Sequence, residues 1–71
     1  MKEVTREEFY RIIKEKKLDV HPHITNSSYP YSTEFRFPFG QVYGKIVRTP
    51  TEERKSYPFY TEQYLINEKY L

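Results

Sequence analysis

The chain has no cysteine, no tryptophan and no alanine, and only two glycines in 71 residues. Absence of cysteine excludes disulfide cross-links and the common thiolate zinc sites, so a domain this short must hold together by side-chain packing alone. With glycine only at 40 and 44, no glycine-rich loop is present to cradle a phosphate or to form a nucleophile elbow. Long apolar runs are missing as well: the longest are two or three residues, far short of a membrane-spanning helix. The first residues, Met1-Lys2-Glu3-Val4-Thr5-Arg6, are charged and lack the apolar stretch of a secretory signal. These absences lead to the expectation of one small, soluble, cytoplasmic domain spanning residues 1–71. The net charge of +2 is too small to require a nucleic-acid partner.

What is abundant is aromatic. Eight Tyr and five Phe outnumber the twelve Leu, Ile and Val residues, and each buried ring removes roughly 150–250 Å² from water. A core of rings can therefore stand in for the aliphatic core that a short chain lacks. Phe, Tyr, Met, Ile, Asn and Lys together make up 28 residues, all with AT-rich codons. That composition suggests an AT-rich bacterial, phage or mobile-element genome.

Thr5 and Glu8 have the spacing of a capping box, with Val4 and Phe9 placed to staple across it. Phe9, Ile12 and Ile13 then share one helical face, Glu7 and Arg11 stand four apart, and Lys14, Lys16 and Lys17 gather where the helix dipole is negative. This pattern predicts a helix over about residues 5–17. Residues 18–32, with His21-Pro22-His23 and Tyr29-Pro30-Tyr31 around a polar run, read as irregular chain. Phe35, Phe37 and Phe39 alternate with Glu34, Arg36 and Pro38 as in a half-buried strand, and Pro38-Phe39-Gly40-Gln41 supplies a turn. A second strand is expected over 41–48, with Gly44 marking a bulge or a close backbone approach. Thr49 to Lys55 reads as a solvated loop. A third strand is expected over 59–66, followed by a fraying tail from Asn67. Ser28-Tyr29-Pro30-Tyr31-Ser32-Thr33-Glu34 is echoed by Ser56-Tyr57-Pro58-Phe59-Tyr60-Thr61-Glu62, which suggests that both segments enter strands alike. The expected architecture is α+β: an N-terminal amphipathic helix on a three-stranded antiparallel sheet, in the order α-β-β-β.

Candidate chemistry is sparse. His21 and His23 could point the same way in an extended segment, but a metal site needs a third ligand at a set spacing. Serines, Asp19 and the histidines lack the surrounding elements of a catalytic triad. The carboxylate pairs Glu7-Glu8 and Glu52-Glu53 read as solvated surface. The expectation is a non-enzyme without cofactor or metal.

One helix covers little more than one side of a sheet, so strand residues of opposite parity should face outward. Assigning Val42 and Ile46 to the helix side leaves Tyr43 and Val47 outside, joined by Tyr60 and Tyr64 from the last strand. Such a patch would suit a protein partner or self-association, as in a small modulator or inhibitor of a larger bacterial protein. The alternative is a nucleic-acid surface in which Arg36, Lys45 and Arg48 meet phosphates beside stacked aromatics.

Overall fold

The computed structural model describes residues 1–26, 31–50 and 60–71, and in them the chain is predominantly β. Five antiparallel strands form one sheet with a single short α-helix and a closing 3-10 turn. The strands are β1 (Lys2–Val4), β2 (His21–Asn26), β3 (Tyr31–Arg36), β4 (Val42–Pro50) and β5 (Tyr60–Ile66), and α1 (Arg6–Glu15) lies between β1 and β2. Their order across the sheet is β1-β5-β4-β3-β2. Strands β2 to β5 are a meander, and the short β1 adds to its far edge, so α1 links the two edges of the sheet across one face.

This corrects the expected three-stranded α-β-β-β arrangement. Two strands were missed, for different reasons. β1 has three residues, too few to display an alternation, and its Val4 also serves the helix. β2 is an edge strand exposed along its whole length, so its residues carry no inside–outside pattern, and Pro22 reads as a breaker. The 28-residue echo and the 49–55 loop fall largely outside the described residues. Of the echoed stretches, Tyr31–Glu34 lies in β3 and Tyr60–Glu62 in β5.

The helix begins where expected. Thr5 is extended (ψ 160°), and its hydroxyl accepts the Glu8 N–H at 3.2 Å. It ends two residues earlier than its lysines suggest. Leu18 N–H bonds to Ile13 C=O and Lys17 N–H to Lys14 C=O, the paired bonds of a Schellman cap, with Lys17 in the left-handed region at φ 51°. The cap turns Leu18 and Val20 back onto the core. Between β3 and β4, Gly40 N–H bonds to Phe37 C=O at 2.8 Å, and Gly40 takes a φ of 94° that a side chain would resist. The tail does not fray: Asn67 N–H bonds to Tyr43 C=O, its amide caps a 3-10 turn over Glu68–Tyr70, and Tyr70 hydroxyl donates to Gln41 Oε1.

The core is aromatic, as the composition implies. Phe9 stands at its centre, fully buried, with Phe35, Tyr43 and Tyr64 edge-on to it at ring separations of 5.2–5.6 Å. Ile12, Ile46 and Ile66 complete it. Edge-to-face pairs of this kind add about 0.5–1.5 kcal/mol each beyond their buried area. Gly44 allows the close packing: a methyl group there would strike the Leu65 carbonyl oxygen and touch the Phe9 ring.

Candidate functional site

Register assigns every strand residue to a face, because directly paired residues in an antiparallel sheet point the same way. On the helix side lie Phe35, Gly44 and Ile66 in one cross-strand row, and Ile24, Thr33, Ile46, Tyr64 and Val4 in the next. Farther from the helix come Tyr31, Arg48 and Glu62, and then Pro50 with Tyr60. On the opposite face a row runs His23, Glu34, Lys45, Leu65, Glu3 from edge to edge, flanked by Ser32, Val47 and Gln63.

The expected outward patch of Tyr43, Val47, Tyr60 and Tyr64 is not assembled. Tyr43 has 0% of its surface exposed and donates its hydroxyl to Phe9 C=O at 2.7 Å. The cause is a bulge in β4: Phe35 pairs with Gly44 and Arg36 with Val42, so Tyr43 is the extra residue. The bulge breaks the alternation between 42 and 46, carrying Tyr43 to the helix side and Val42 to the open face. Tyr64 is core as well, because it pairs with Ile46. Val47 does face outward, among polar neighbours. Tyr60 is exposed, but on the helix side beyond the reach of α1.

Burial pushes the Tyr43 hydroxyl up to about 12, with a smaller contribution from the Glu8 carboxylate. Tyr64 is raised too, first by burial and then by Glu62. Both hydroxyls thus stay protonated over the physiological range, as structural rather than acid–base groups.

The open face is a mixed-charge surface. Arg36 Nε donates to Glu34 Oε1 at 3.1 Å, and Lys45 sits opposite Glu34 in the neighbouring strand. Arg48 is on the other face, where its Nε donates to Glu62 Oε2 at 2.9 Å. Of the three cations of the nucleic-acid alternative, two are paired with carboxylates, and no Phe or Tyr shares a face with Lys45 among the described strand residues. His21 pairs with Asp19 at 2.9 Å, and His23 projects beside Glu34. No group of three metal-ligating side chains occurs among the described residues.

Exposed apolar residues lie instead on the helix side of the sheet, Ile24 on the edge strand β2, Tyr31 on β3 and Tyr60 on β5. Ile24 is 75% exposed, Tyr31 37% and Tyr60 38%, and Tyr10 of α1 is 41% exposed with its ring near Phe35 and Tyr64. Arg48 and Glu62 lie in this area as a matched pair. The exposure of Ile24 and Tyr31 was not expected because both fall in the segment 18–32, read as irregular chain. Counting strands through Pro22 would have found Ile24. No helix among the described residues is long and apolar enough to cross a membrane. Comparison with protein families, with curated proteins and with solved structures finds no match to this chain.

Proposed function

We propose that this chain is a small non-enzymatic protein-binding module whose contact surface is the uncovered end of the helix-side sheet face, centred on Ile24, Tyr31 and Tyr60. The observation that carries this reading is the 75% exposure of Ile24 on the same sheet face as two partly exposed tyrosines, a face whose other half is a closed aromatic core. Tyrosines with a packed ring and a wet hydroxyl are favoured at interface centres, because they bring a large contact area for little lost side-chain entropy. The Arg48–Glu62 pair leaves that area without net charge, which suits a protein surface better than a phosphate backbone. A larger bacterial protein presenting its own apolar residues would be the partner.

The test is capture from bacterial lysate by the immobilised chain, with and without nuclease, followed by measurement of affinity for the isolated partner. Ile24→Ser with Tyr60→Ser should weaken that affinity at least ~30-fold, the factor for losing about 2 kcal/mol at a hot spot, while leaving the melting temperature within a few degrees. Capture that vanishes with nuclease and depends on Lys45 would favour nucleic acid instead. Unchanged affinity in the double variant would move the contact surface elsewhere.

A further inference from the structure

We draw no further inference here: the strongest candidate, the exposed edge strand β2 with Ile24 on its outer flank, adjoins the contact surface already described, and nothing in the structure shows what covers it.

Discussion

At the scale of single residues, Tyr43 joins the sheet to the helix through both its ring and its hydroxyl. Tyr43→Phe keeps the ring and removes the bond to Phe9 C=O, so it should cost about 0.5–1.5 kcal/mol near neutral pH. The cost should depend on pH. An unfolded tyrosine ionises near 10, whereas folded Tyr43 holds its proton to about 12. The folded state therefore binds more protons in that window, and the stability that Tyr43 contributes, fully present below pH 10, is lost as pH rises through it. Tyr43→Phe removes one such group, so urea denaturation at pH 7 and pH 11 should show the gap between variant and wild type narrowing at the higher pH. A constant gap would mean that the hydroxyl is not buried. Lys17 is informative in the opposite direction. A left-handed lysine carries a steric cost of roughly 1–2 kcal/mol that glycine avoids. Lys17→Gly should therefore raise the denaturation midpoint, and a fall would place the helix end elsewhere. Neither effect is visible from the sequence, since φ 51° at Lys17 and the inward turn of Tyr43 both depend on backbone geometry that composition does not report.

At the scale of elements, legibility followed burial. α1, β4 and β5 each bury one side and so display a period: the expected 5–17, 41–48 and 59–66 correspond to Arg6–Glu15, Val42–Pro50 and Tyr60–Ile66. β2 buries nothing, and its sequence His-Pro-His-Ile-Thr-Asn looks like a turn. It is also built as a guarded edge. Pro22 has no N–H, so the ladder bonds to β3 in that stretch must run through His21 and His23, and the outward position at 22 lacks a donor. Thr25 is skipped between the Ile24–Thr33 and Asn26–Ser32 pairs, a bulge that interrupts the edge again. Pro22→Val should supply an outward donor within a β-favouring side chain. Sedimentation of that variant should show more concentration-dependent association than the parent chain. Equal association would mean that the edge is protected by something other than the proline.

At the scale of the whole molecule, a small cysteine-free chain is stabilised by ring packing, and this decides which aromatics are left at the surface. The inventory of aromatics was legible as core material, but its division between core and surface was not. That division turns on the one-residue bulge at Tyr43 and on the extra strands β1 and β2. These widen the sheet beyond what a helix of ten residues, about 15 Å long, can cover. Gly44 was the one sequence signal of the bulge, and it could not say which neighbour would be turned inward. The contact surface we propose accordingly lies on the core face, with Ile24, Tyr31 and Tyr60, rather than on the face opposite the helix. The most direct test of this division is thermal denaturation of Tyr43→Ala beside Tyr60→Ala. The structure predicts that Tyr43→Ala loses about 3–5 kcal/mol, enough to unfold a domain of this size, while Tyr60→Ala melts within a few degrees of the parent chain. A Tyr43→Ala variant that melts like the parent chain would contradict the account, because Tyr43 would then stand on the surface and the β4 bulge would not exist.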